Sequence, residues 1–437
     1  MTRLTRRQPS ALLVVLLAAP FLASADSTVA NAATPSIRHS LGASGSDAQF
    51  VVGGYIVAYA MLLITGARLG QTHGYKRLFL LGVSLFGVTS LGDGLAPDIT
   101  LLIVMRGLQG ASAALMLPQV LTGIQLQFSG ERRTRAIGQY AVALSMGALV
   151  GQILGGMLIS ADISGASWRP IFLVNVPICL GVLAWGSRVL PADDHRERSR
   201  VDMAGAAILS VAVLCIVVPL TVGRDAGWPV WTWAALAASI PALALFLLTE
   251  RRVLTDGRAP LVDTSILTRP AIAWGLVGLA GCNATYFALL FALAQYLQIG
   301  LGHTALFSGL ILVPWVAAFG LAGPLRRRLP VRLLPALPVA AFLVLATVYL
   351  AISGAVLAGA LSAPLLAVLF VPGGLALGTV FTALLAHLAG AASLERAPDI
   401  SGISATAGQL SASVGVAGFG TLYLSLAATH RPGHAFG

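Results

Sequence analysis

Asp26 and Arg106 have the clearest capacity for chemistry in this sequence, because each stands inside a run of apolar or small residues. Asp26 follows Ala23-Ser-Ala, and Arg106 sits in Leu101-Leu-Ile-Val-Met-Arg106-Gly-Leu-Gln109-Gly110. They are the ionisable residues placed at the middle of such runs, where a charge is costly and calls for a reason. A carboxyl taken out of water holds its proton more firmly, and a nearby arginine opposes that. Such a group can load and release a proton as water access alternates. Asp26 is therefore a candidate carrier of a proton or a cationic substrate; the alternative is a wetted or capping carboxylate at a helix end. Arg106 is a candidate for coupling or gating, against a plain role in hydrogen bonding neighbouring helix ends.

Glycines supply a second pattern. Gly147, Gly151 and Gly155, with Gly156 beside them and Gln152 between, recur at helical spacing, which lets a neighbouring backbone approach closely. Helix packing alone accounts for them. A third is the connection Gly66-Ala-Arg-Leu69-Gly70-Gln-Thr-His-Gly74-Tyr-Lys76-Arg77, with a weaker counterpart at Gly323-Pro-Leu-Arg-Arg-Arg328. Asn31, Tyr55, Gln119, Asn283, Tyr286 and Gln295 are polar or aromatic candidates for a central cavity, although such a residue more often bonds helix to helix than touches a ligand. No phosphate-binding G-x-x-x-x-G-K-[ST] occurs, the glycines do not follow strands, and the serines and histidines form no catalytic set. Cys179, Cys215 and Cys282 have no metal-ligand spacing. No cofactor, metal or enzymatic activity is expected.

The elements that position these residues follow from composition. Hydrophobic residues make up 57% of the 437 residues and charged residues 10%, against about 25% charged in a soluble domain; mean hydropathy is +0.87. Lipid must solvate much of the surface. The net charge of +11 lies in short clusters between apolar runs, without aromatic interleaving, so orientation in a membrane explains it better than nucleic-acid binding. At roughly 20 apolar residues per spanning helix, thirteen spans are expected, near 11–34, 49–67, 78–96, 99–123, 136–160, 168–190, 203–222, 229–249, 270–298, 305–324, 333–354, 363–389 and 401–427. Alternate connections carry Arg3/Arg6/Arg7, Lys76/Arg77, Arg132/Arg133/Arg135, Arg196/Arg198/Arg200, Arg251/Arg252/Arg258 and Arg326/Arg327/Arg328/Arg332. By the positive-inside rule these face the cytoplasm, as does the N-terminus. Ala11 to Leu22, ending in Ala23-Ser-Ala25, also fits a cleavable signal peptide; an uncleaved first helix is the favoured reading. Three regions are expected: a bundle of six spans over 1–190, a linker with an extra helix pair over 191–255, and a second bundle over 256–437.

Taken in order along the chain, these motifs resemble the major facilitator superfamily, and within it the fourteen-helix drug:proton antiporters of the EmrB/QacA type. Asp26 with Thr28-Val29, Asn31 and Pro35 is similar to that group's first-helix signature. Gly66 to Arg77 resembles the loop between second and third helices, Arg106, Gln109 and Gly110 the fourth-helix motif associated with proton transfer, and Gly147 to Gly156 the fifth-helix antiporter motif. Trp168-Arg-Pro-Ile-Phe-Leu-Val-Asn175-Val-Pro177 resembles the sixth-helix start, and Gly402 to Gly420 the penultimate helix. The resemblance implies an all-α membrane fold of two six-helix bundles plus a central extra pair, with the family's last helix missing. It implies proton-coupled efflux of small hydrophobic or amphipathic compounds across a bacterial cytoplasmic membrane by a monomer in the lipid bilayer, with protons as coupling ion. An importer or facilitator, or a non-transporting member acting in binding or sensing, are the rivals. The sequence departs from the family at Gln71, where an acid latches the loop against a helix end, at Thr72, where a basic residue is usual, and at Gln152, where proline is common.

Overall fold

Almost every apolar run of the sequence is helical in the computed structural model, as a chain without water to satisfy its backbone requires. The structure describes residues 8–161, 167–192, 202–223, 226–256, 267–297, 301–303, 305–326, 328, 330–334 and 336–391, with isolated residues between 400 and 418. The N-terminal series is α1 (Gln8–Leu41), α2 (Gly45–His73), α3 (Tyr75–Leu95), α4 (Ile99–Gln127) and α5 (Gly130–Ala161), then a short α6 (Pro170–Leu173) and α7 (Asn175–Val189). A pair follows, α8 (Met203–Val222) and α9 (Val230–Thr255). Then come α10 (Pro270–Gln295), α11 (Ala305–Leu310), α12 (Val313–Arg326), α13 (Leu337–Leu357) and α14 (Ala363–Gly390). Among the described residues, eleven spans are long and apolar enough to cross a membrane, and α8 adds a shorter apolar stretch, Ala204–Leu220. The expected thirteenth span falls largely outside the described residues.

Local chemistry sets the helix starts. Ser44 and Asp47 form a reciprocal capping box at α2. The Asp98 carboxylate accepts from Leu101 N at 2.9 Å to open α4, and Asp202 accepts from Ala204 N and Gly205 N to open α8. Two spans differ from unbroken expectation: the sixth is interrupted at Val174, and the tenth between α11 and α12. The connection read as a loop over 66–77 is also mostly helix. α2 continues to His73, and the turn is Gly74 alone, at φ 95° and ψ 138°, a backbone that side-chain-bearing residues rarely adopt.

Apolar side chains gain little by leaving lipid for one another, so close backbone approach has to hold such a bundle together. α1 lies along α5, α2 along α4, and α12 along α14. At α2–α4, a Cβ on Gly66 would overlap Ala114 O, and one on Gly110 would overlap Tyr55 O. At α12–α14, a Cβ on Gly374 would overlap Trp315 O, and one on Gly378 would meet Phe319 O at 2.6 Å. The second and fourth spans of each half thus pack through glycine in the same way. α8 and α9 pair with each other, and α8 also rests on α2.

Candidate coupling site and central cavity

The stretch that reads either as a signal peptide or as a helix is one continuous helix to Leu41, and its contact with α5 fixes where Asp26 lies. A Cβ on Gly147 would overlap Phe21 O, and one on Gly151 would overlap Ala25 O and press on Thr28 Oγ1. Thr28 Oγ1 donates to Ala148 O at 3.1 Å across the same contact. Gly155 is buried. Gly156 lies off this face, with open space where a Cβ would stand. α1 is therefore held backbone to backbone one residue before Asp26.

Asp26 is 1% exposed and Arg106 is fully buried. Arg106 Nη1 donates to Asp26 Oδ2 and to Gln109 Oε1, and its Nε donates to Val51 O at 3.1 Å. Asp26 Oδ1 accepts from Gln109 Nε2 at 3.1 Å and from Asn175 Nδ2 at 2.9 Å. Ser90 Oγ accepts from the same two amides, at 2.7 and 2.9 Å. The guanidinium lies 4.6 Å from the Tyr55 ring centre and 5.5 Å from that of Phe172, within cation–π reach. Five helices, α1 through α4 and α7, meet at this one ion pair. The break at Val174 makes Asn175 the first residue of α7, and its amide donates to Asp26 from that position.

Two buried carboxylates escape the sequence reading because they fall near span ends. Asp93, in the last turn of α3, is fully buried, and neither carboxylate oxygen accepts a hydrogen bond among the described residues. Glu250, near the end of α9, is also fully buried. Asn175 and Ser90 are uncharged and carry no such warning, although Asn175 stands in the quoted sixth-helix motif.

Beside the ion pair lies a central cavity of about 170 Å³ between the two helical halves. Tyr59, Tyr140, Asn283, Tyr286 and Phe381 line it, with Ser24 and Ser145 adding hydroxyls. No Asp, Glu, Lys, Arg or His is among its described lining residues. Of the cavity candidates, Asn283 and Tyr286 line it. Tyr55 instead packs on Arg106, stacking on Tyr59 with ring centres 6.3 Å apart. Gln119 is turned into the α2–α4 contact, where Nε2 donates to Gly66 O at 2.8 Å. The side chains of Asn31 and Gln295 lie outside the described residues. Gln152 lines a smaller space of about 70 Å³ next to the cavity, together with Thr28, Ser145 and Tyr286.

The Gly66–Arg77 stretch sits at the arginine-rich end. Gln71 Oε1 accepts from Arg68 Nη1, so the amide at the acid position still binds a cation. A Cβ on Gly70 would overlap the Gln119 side chain. Leu69 is half-buried and Arg77 is exposed. Lys76 Nζ donates to Ser187 O at 3.0 Å and Leu190 O at 2.6 Å, occupying carbonyls that the end of α7 leaves free. At this end a space of about 740 Å³ separates α5 from α12, lined by Arg135, Gln139 and Arg326. At the other end α11 packs on α5 near Gln152 and Ile153. The cleft between the halves is therefore open toward the arginine-rich face and covered at the opposite one.

The family model of the Major Facilitator Superfamily matches residues 16–416. The chain belongs to this superfamily. It is 35% identical over 305 residues to a probable actinorhodin transporter of Streptomyces coelicolor, a match covering 70% of this chain and 53% of that protein. It is 34% identical over 306 residues to the cephamycin export protein CmcT of Amycolatopsis lactamdurans, covering 69% and 62%. To the tetracenomycin C resistance and export protein of Streptomyces glaucescens it is 32% identical over 312 residues, covering 71% and 56%. The matched stretch thus spans a little over half the length of these curated relatives. Among solved structures, the human organic anion transporter MFSD10 (TETRAN) superposes with TM-score 0.68 at 16% identity, covering 99% of this chain and 97% of that one. The proton:xylose symporter XylE superposes with TM-score 0.63 at 15% identity, covering 98% and 92%. The fold is that of a major facilitator, and the protein is a multi-pass membrane protein.

Proposed function

We propose that this protein exports small hydrophobic or amphipathic molecules across a bacterial cytoplasmic membrane in exchange for protons. The observation that carries the reading is the buried Asp26–Arg106 pair beside a cavity lined by uncharged, aromatic and hydroxylated side chains. Protonating Asp26 removes the counter-ion of Arg106, and a guanidinium left unpaired in the interior is costly. A proton arriving on Asp26 therefore works against the present arrangement of five helices and favours another. One charge moved through 100 mV contributes about 2.3 kcal/mol to that change. The cavity needs no ion pair to hold its cargo. Tyr59, Tyr140, Tyr286 and Phe381 suit flat apolar rings, and Ser24, Ser145 and Asn283 suit the polar edges of an uncharged or weakly charged molecule. The named exporters among the relatives favour outward transport, and the alternation of basic loops favours a cytoplasmic N-terminus.

The test is dye efflux from energised cells expressing the chain, with and without a protonophore. Efflux that stops with the protonophore supports the reading. Asp26→Asn should then abolish protonophore-sensitive efflux at unchanged abundance in the membrane, and undiminished efflux by that variant would sink the assignment of Asp26.

A further inference from the structure

Asp93 and the second arm of Arg106 are each buried without a hydrogen-bond partner among the described residues. Asp93 lies one turn beyond Ser90 on the same face of α3, about 4.5 Å further along the axis. Its carboxylate has no hydrogen-bond donor among the described residues, and Arg106 Nη2 is likewise buried without an acceptor. Asp93 lies near enough to Asp26 and Arg106 for a charge on one to bear on the others. Other groups bear on the region from the packed elements: Tyr55 of α2, Asn175 and Cys179 of α7, and Arg169 before α6. Arg169 Nη2 is already committed, donating to Ala96 O at 2.8 Å. The Asp98 carboxylate at the start of α4 is exposed and caps Leu101 N.

We propose that Asp93 is the second proton-binding carboxyl of this site and the alternate partner of Arg106, an inference that rests on the proton-coupled reading above. One guanidinium bears on two buried carboxyls, so a site with both ionised would hold an uncompensated negative charge in the interior. One proton therefore resides on the pair. With Asp26 receiving Arg106, Gln109 and Asn175, and Asp93 receiving no donor, the proton sits on Asp93. The exchange conserves charge. The proton leaves Asp93 for Asp26, and Arg106 passes from Asp26 to Asp93, closing the bond that Nη2 leaves open. Asp26 then releases its proton toward the space lined by Ser24 and Thr28, Asp93 takes another from the α3–α4 surface one turn away, and Arg106 returns to the ionised Asp26. One proton crosses from that surface per cycle, and the site stays neutral once Asp93 has reloaded.

Infrared difference spectra of the purified full-length chain, without substrate, test this directly. The carboxylic-acid C=O band of Asp93 should vanish in Asp93→Asn. It should also vanish in Asp26→Asn, because Asp93 then ionises to pair with the released Arg106. A spectrum unchanged in Asp93→Asn overturns the proposal, as does a band that Asp93→Asn removes and Asp26→Asn leaves in place. If the Asn variant does not purify, Asp93→Glu serves, shifting the same band instead of deleting it. This readout needs no cargo and no gradient, so it stands even if dye efflux proves insensitive to a protonophore. In energised vesicles Asp93→Asn should lose proton-driven efflux, and proton-driven efflux at the wild-type rate would overturn the proposal.

Discussion

Arg106 binds Val51, Asp26 and Gln109 and lies over two aromatic rings, and its removal should be felt in stability before transport is assayed. Taking away one member of a buried ion pair costs about 3–5 kcal/mol, because the other member is left uncompensated. Arg106→Ala should therefore lower the thermal unfolding temperature in detergent markedly. Asp26→Asn combined with Arg106→Gln should recover a good part of that loss, and a double-mutant cycle would read the coupling. If the double variant is no more stable than Arg106→Ala, the pair does not bear the weight its burial suggests. Sequence shows these two residues because charges stand out against apolar runs. Asn175, Ser90 and Asp93 do not stand out, being uncharged or four residues from Pro97 in what reads as a wetted span end. Asp93 is buried because the α6 segment folds over it, with Leu173 packed on Gly94, and nothing local in the sequence announces that cover.

At the scale of helices, the fifth-helix glycines divide into two kinds. Gly151→Val should push α1 off α5, displacing Asp26 from Asn175 and Gln109, and transport should fall to background with the protein still in the membrane. Gly156→Ala meets open space and should leave transport intact, adding up to about 1 kcal/mol of helix stability. Thermal melts and efflux on the two variants separate packing from mere helix propensity. The start of α2 gives a pH prediction. The Ser44 hydroxyl and backbone N–H donate to the exposed Asp47 carboxylate and hold it below its ordinary 3.8. A depressed folded value means this cap is complete at neutral pH and is lost only as pH falls below the ordinary carboxylate range. Amide exchange in the first turn of α2 should stay slow to that point, and Ser44→Ala should remove the protection. Spans are easier to read from sequence than the faces they turn inward. α2 and α4 are apolar nearly all round, so no stripe announced their rotation. Tyr55 and Gln119 accordingly fall on helix contacts, while Tyr59 and Tyr140, unmarked by any motif, reach the cavity.

For the whole molecule, the 740 Å³ opening at the arginine-rich end predicts a pattern of access. With the native cysteines replaced, a single cysteine at Gln139, which is exposed, should react with a membrane-impermeant thiol reagent applied from that face. Cysteine at Ile153, under α11, should not react from the opposite face in the same state. Reaction from the wrong side would mean that the cleft opens the other way in the membrane. The two-bundle plan was legible from alternating basic loops and recurring motifs, whereas the direction in which the cleft opens is a property of one packed state and has no sequence signature.

The glycine contacts carry a mechanical consequence. Where Gly147 and Gly151 meet Phe21 and Ala25, or Gly374 and Gly378 meet Trp315 and Phe319, main chain bears on main chain with no side-chain torsion between to take up slack. Such joints are stiff, whereas the aromatic walls of the central cavity can turn about their bonds. Under the proposed proton uptake, a small displacement of Asp26 would not be dissipated next to it but conveyed, as by a lever with a rigid arm, to the mouth of the cleft.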